Sequence, residues 1–127
     1  MIRTGATLLL AAYWLAIFVA THVPHVPAAL AMPGADKWEH LGAYAALAFL
    51  LAGRQSLWRP VGWTGFTRIA ILAALYGAFD ELTQIPVGRH ADVNDWFADV
   101  LGSAFGLALF AVVRVVFARC CGKPRQA

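Results

Sequence analysis

A run of about 18 residues, Ala6 to Val23, contains no Asp, Glu, Lys or Arg. Crossing a hydrocarbon core of about 30 Å takes roughly 20 apolar helical residues. This stretch, preceded by Arg3, therefore suits a helix that enters a bilayer from the cytoplasm. A secretory signal peptide shares the basic start and apolar core, and Ala29-Leu30-Ala31 resembles a cleavage site. His22, Pro24, His25 and Pro27 nevertheless make the stretch before that triplet unusually long, so a retained helix is the expectation. The remainder repeats the pattern. With 61% hydrophobic and 13% charged residues, the 127-residue chain is too apolar to close its surface as one small soluble domain. Its length accommodates about four crossings with short connections, as a single membrane domain over residues 1–127.

Prolines and glycines place the breaks. Pro24, Pro27, Pro33 and Gly34 mark an irregular loop, after which Asp36 is expected to cap a second helix. His22 and His25, between prolines, are expected to be exposed in that loop rather than to act as a ligand pair. Gly53 to Thr67 interleaves Arg54 and Arg59 with Trp58, Trp63 and Phe66, the composition of a cytoplasmic loop resting among headgroups. Pro86 and Gly88 make a tight external turn. The helices are expected at about 6–23, 37–52, 68–85 and 93–118. Gly102 and Gly106 in the last form a small-xxx-small pair that fits either an internal contact or a seam with a second copy or a partner membrane protein.

This layout separates the charges by side. Arg3, Arg54, Arg59, Arg68, Arg114, Arg119, Lys123 and Arg125 fall on one side (+8). Seven acids with Lys37 and Arg89 fall on the other (−7 + 2 = −5), and the two sum to the net +3. Basic residues mark cytoplasmic ends, so both termini are placed in the cytoplasm of an all-α, four-helix integral membrane bundle. So strong a bias argues against a dual-topology exporter, whose loops must be nearly balanced. Basic residues that flank apolar runs also argue against a nucleic-acid partner. Cys120 and Cys121 lie at the reducing end and are assigned no chemistry.

Ionisable residues within a span are costly, face the bundle interior and commonly mark function. Lys37, His40 and Tyr44 share one stripe of the second helix, and Tyr76, Asp80 and Gln84 one stripe of the third, with Glu81 about 100° away. Asp92, Asp95, Asp99, Gly102 and Gly106 trace one stripe of the fourth. Three stripes at one depth can converge on a pocket inside the outer boundary, with Arg89 above it.

The segments Asp36-Lys37-Trp38-Glu39-His40 with Tyr44, Asp80-Glu81-Leu82-Thr83-Gln84, Gly88-Arg89, and Asp95 with Asp99 resemble the VanZ-like family of small bacterial membrane proteins. The resemblance covers residues 36–106. Asp99 stands where the family usually carries Asn, which leaves open any role that needs a neutral donor there. The resemblance implies a place in the cell envelope and an association with low-level resistance to the glycopeptide teicoplanin. It implies no accepted reaction.

The leading expectation is a site for an anionic headgroup of a membrane lipid or lipid-linked cell-wall precursor, in the outer leaflet of the bacterial cytoplasmic membrane. Lys37 and Arg89 would hold phosphate oxygens, joined by Tyr44, Gln84 and Asp99 as binding residues. His40, Asp80, Glu81 and Asp95 would carry any proton transfer, giving hydrolysis or group transfer. His40 with Asp80, Glu81, Asp95 and Asp99 also offers the donors for a divalent cation, but their local spacing matches no known metal motif, and direct phosphate contact is preferred because Lys37 and Arg89 already supply positive charge. Alternatives are a non-catalytic scaffold, a proton or ion pathway, and an ion-pair network that serves packing alone. Seven acids against two certain cations leave excess charge that simple pairing does not absorb.

Overall fold

The computed structural model describes residues 1–23 and 34–121, and every regular element among those residues is a helix. Four α-helices follow one another: α1 (Ile2–His22), α2 (Ala35–Ser56), α3 (Trp63–Gln84) and α4 (Val93–Cys121). A short 3-10 turn, Ile85–Val87, leads out of α3. The proline-rich segment with His25 and Ala29-Leu30-Ala31, and the tail with Lys123 and Arg125, lie outside the described residues.

The helices run further than the apolar stretches alone suggest. Val23 adopts an extended conformation (ψ 130°) at the C-cap of α1, as the residue before Pro24 must. That restriction reaches back only one residue, so His22 stays helical. The cap of α2 is not Asp36: Gly34 holds the position at φ 76°, and Asp36 sits in the first turn. Gly53 and Arg54, read as loop, complete the last turns of α2. The connection shrinks to residues 57–62, where Pro60 and an extended Gly62 separate α2 from α3.

The most extensive interface joins α2 to α4, with α3 against α4 next and α1 packed more lightly on α2 and α3. Gly102 and Gly106 make the first interface possible. A methyl group built on Gly102 would collide with the Leu41 carbonyl, and one on Gly106 with the Ala45 carbonyl. The small-residue stripe is thus an internal seam between α2 and α4, not a free dimer face. Below it, Ala48, Ala52, Val61, Ile69, Leu107 and Phe110 form the apolar core of one end.

That end is also the basic one. Arg3 lies 4.6 Å and Arg54 5.8 Å from the centre of the Trp58 ring. Arg54 Nε donates to Thr7 Oγ1 (3.1 Å), and Arg114 donates to the Val61 carbonyl (2.6 Å). These contacts gather the start of α1, the end of α2, the 57–62 connection and the later turns of α4. The acids lie at the opposite end.

Polarity is inverted relative to a protein folded in water. His40, Asp80, Glu81, Gln84, Asp95, Asp99 and Ser103 are buried, whereas Leu9, Leu15, Ile71, Leu75, Leu101, Phe105 and Val112 are exposed. A hydrocarbon solvent produces this distribution, because polar groups there must find partners inside the bundle. Two helices, α1 and α4, are long and apolar enough to cross a membrane.

Gly102→Leu and Gly106→Leu should each destabilise the bundle by about 1–3 kcal/mol or more, the usual cost of overpacking a closed contact. Thermal unfolding in detergent measures this. An unchanged midpoint in both variants would place the α2–α4 contact elsewhere.

Candidate functional site

At the acidic end the sequence-derived residues resolve into three connected groups. The first is centred on Lys37, whose Nζ lies 2.8 Å from Asp95, 3.1 Å from Asp92 and 3.7 Å from Asp36. This pins the first turn of α2 against the start of α4. Asp92 also caps α4: its Oδ1 accepts from the backbone N–H and the side-chain amide of Asn94, both at 2.8 Å. The Asn94 backbone bond, and then Lys37, hold the Asp92 carboxyl below its ordinary value of 3.8. Lys37, expected to grip phosphate, is instead surrounded by three carboxylates.

The second group is buried. His40 Nδ1 and Asp99 Oδ1 share a hydrogen bond of 2.9 Å across the α2–α4 seam, and Glu81 Oε1 reaches to 4.0 Å from the same nitrogen. Glu81 Oε2 accepts from the Asp92 backbone N–H at 2.8 Å. Gln84 spans the neighbouring carboxylates, with its amide 3.3 Å from Glu81 and 3.5 Å from Asp80. Gly77 makes room for Asp99: a Cβ there would lie 2.8 Å from Asp99 Oδ2. The three helices thus meet at His40, Glu81 and Asp99, with Glu81 reaching in from beside the Asp80–Gln84 stripe of α3. Beneath them the Tyr44 and Tyr76 rings stack at 5.9 Å, and Trp14 meets Tyr76 edge-on at 5.0 Å, closing the floor with aromatic carbon.

The third group comes from α1. Thr21 Oγ1 donates to Asp80 Oδ1 (3.0 Å), and Arg89 donates to the Thr21 carbonyl. His22 stacks on Phe18, its Nδ1 donates to the Phe18 carbonyl (2.7 Å), and its Nε2 lies 3.1 Å from Thr83 Oγ1. The same Nδ1 is 3.9 Å from Asp80. The expectation of an exposed His22 is therefore corrected: the ring is 13% exposed and belongs to the site. Helical continuity up to Val23 was the available signal, hidden by the nearby prolines. Thr21 was missed for a different reason, since its hydroxyl contacts a residue 59 positions away.

Between α1 and α2 lies a cavity of about 250 Å³ lined by Tyr13, Ala16, Ile17, Ala20, Thr21, Glu39, His40, Ala43, Tyr44 and Arg89. Its wall is mainly apolar; His40, Glu39 and Arg89 supply the charged and titratable groups. Tyr13 lines it and donates to the Ala43 carbonyl at 3.0 Å. Of the expected binding residues the cavity gathers Tyr44 and Arg89, with His40 from the proton-transfer set. Lys37 and Asp95 belong to the cluster above, and Asp80, Glu81, Gln84 and Asp99 to the buried layer beside it. His90 is exposed.

A carboxyl whose folded pKa is depressed contributes stability above its unfolded pKa and loses it as the pH falls through the folded value. Asp92 should behave so. Asp92→Asn keeps a good cap but removes the titration. Its melting curve should separate from the wild type at pH 7 and converge with it as the pH falls below 3.8. A constant separation across that range would mean that Asp92 is not held ionised by Asn94 and Lys37.

A family model described as VanZ/LLP1 matches residues 17–114. No curated protein and no solved structure matches the chain. The match takes in all three polar groups and the cavity lining from Ile17 onward, and by this extent the chain belongs to the VanZ/LLP1 family.

Proposed function

We propose that the chain is a four-span protein of the bacterial cytoplasmic membrane, with both termini inside and the acidic end facing out, whose cavity receives an anionic lipid of the cell envelope. The spans follow from length and charge. The 22 residues of α2 or α3 reach about 33 Å at 1.5 Å per residue, enough to cross a hydrocarbon core. The charge division between the two ends supports this orientation, because basic residues are retained on the cytoplasmic side.

The observation that carries the lipid reading is the composition of the cavity. Ala16, Ile17, Ala20 and Ala43 offer a surface for a hydrocarbon chain, and Arg89 and His40 stand in the same wall. An amphiphile whose headgroup is a phosphate matches both halves. Arg89 is the residue for the headgroup, since a guanidinium presents its donors in a fork that fits phosphate oxygens. His40, backed by Asp99 and Glu81, is placed to exchange a proton with a ligand in the cavity it lines. Asp80 and Glu81 act behind it, and Lys37 and Asp95 set the mouth by holding α2 to α4. Binding or modifying a lipid-linked cell-wall precursor is the role in which such a site would alter glycopeptide susceptibility.

Native mass spectrometry of gently solubilised protein tests the reading. Wild type should retain a phosphate-bearing lipid. Arg89→Ala should reduce it about tenfold or more, as expected when a charge-assisted bond of about 1.5–3 kcal/mol is lost. Ala20→Phe, which fills the apolar half, should do the same. Equal lipid in all three proteins would overturn the proposal and favour the scaffold role.

A further inference from the structure

We propose that His40, Glu81 and Asp99 form a buried site for a divalent cation of the Mn2+ or Zn2+ kind. Each offers one donor atom, and the three atoms lie within 4.8 Å of one another. Opposite ligands of a first-row ion stand about 4.2 Å apart, twice a bond of roughly 2.1 Å. The side chains therefore need only small movements to close on an ion. One imidazole nitrogen with carboxylate oxygens suits Zn2+ or Mn2+ better than Ca2+ or Mg2+, which favour oxygen alone.

A second observation points the same way and does not depend on the carboxylates being clustered. The hydroxyl of Tyr44 and Oδ2 of Asp99 are buried without a hydrogen-bond partner, and both residues are 0% exposed. An unsatisfied hydroxyl costs about 1–3 kcal/mol and an uncompensated charge more. Tyr44 lies one helical turn from His40 on the same stripe of α2, and its hydroxyl is close enough to Asp99, Asp80 and Glu81 to feel their charge. An ion held there would neutralise the carboxylates and orient a bound water toward the phenol.

Local charge reinforces the argument. Asp80, Glu81 and Asp99 are all buried. Lys37 is engaged by Asp36, Asp92 and Asp95. His22 lies within ion-pair distance of Asp80, and His40 within that distance of Glu81 and Asp99. In hydrocarbon, carboxylates stay ionised only when a cation sits among them. This inference does not rest on lipid binding: it shares His40, Glu81, Asp99 and Tyr44 with the lipid reading, but neither Arg89 nor the apolar wall formed by Ala16, Ile17, Ala20 and Ala43.

The test uses full-length protein purified in detergent without a polyhistidine tag, stripped with chelator and equilibrated with Mn2+. One ion should bind per chain, and its pulsed electron paramagnetic resonance should show coupling to a single imidazole nitrogen. Glu81→Gln and Asp99→Asn should weaken binding at least about tenfold, the size even an outer-shell loss produces. Circular dichroism identifies a variant that has lost its fold, in which case the wild-type nitrogen coupling alone decides. Absence of binding to wild type, binding without nitrogen coupling, or undiminished affinity in folded variants would overturn the proposal. No lipid is needed, so failure here leaves the lipid-retention result standing, and the reverse.

Discussion

The hydrogen bond between His40 and Asp99 joins α2 to α4 at the depth where the bundle is most polar, and the remaining architecture makes that contact possible. Two helix backbones reach this separation only because Gly102 and Gly106 admit the Leu41 and Ala45 carbonyls. The carboxyl of Asp99 fits only because Gly77 on α3 leaves its space. A buried charge that loses its partner costs several kcal/mol. The packing and the electrostatics are therefore one constraint seen from two sides: the glycines bring the imidazole and the carboxyl together, and their attraction offsets the burial of both.

Around this contact the acidic end divides its labour by depth. Lys37, Asp36 and Asp92 are partly exposed, with the lysine side chain at 41%, whereas Asp95 is buried; the exposed pairs contribute little stability by themselves. The value of the cluster lies in position, because it fixes the entry of α4 relative to α2 above the buried layer. That layer contains the groups able to hold an ion or exchange protons. The cavity on the α1 side brings His40 into contact with whatever occupies the space beneath Arg89.

Much of this was legible in the amino-acid sequence because each signal is periodic or local. The i, i+4 spacing of Asp95 and Asp99 put them on one face of α4, and the spacing of His40 and Tyr44 did the same on α2. The two-ended distribution of charge needed only the count of crossings. What escaped depends on contacts between distant segments. Nothing near Thr21 or His22 announces that α1 would deliver them to Asp80, and prolines nearby made the opposite reading reasonable. Lys37 was rightly placed on the polar stripe, but its partners became visible only when the start of α4 was in place. Whether Gly102 and Gly106 faced inward or outward is likewise a question of packing, which spacing alone leaves open.

The claim that the α1–α2 cavity holds the chain of an anionic lipid is tested most directly by crystals grown from a lipidic mesophase. The mesophase would be doped with a phosphate-bearing lipid whose hydrocarbon carries bromine. The account predicts an anomalous bromine peak between Ile17 and Ala43, with phosphate density beside Arg89. Bromine confined to the outer faces of α3 and α4, with the cavity filled by water or closed by side chains, would contradict it.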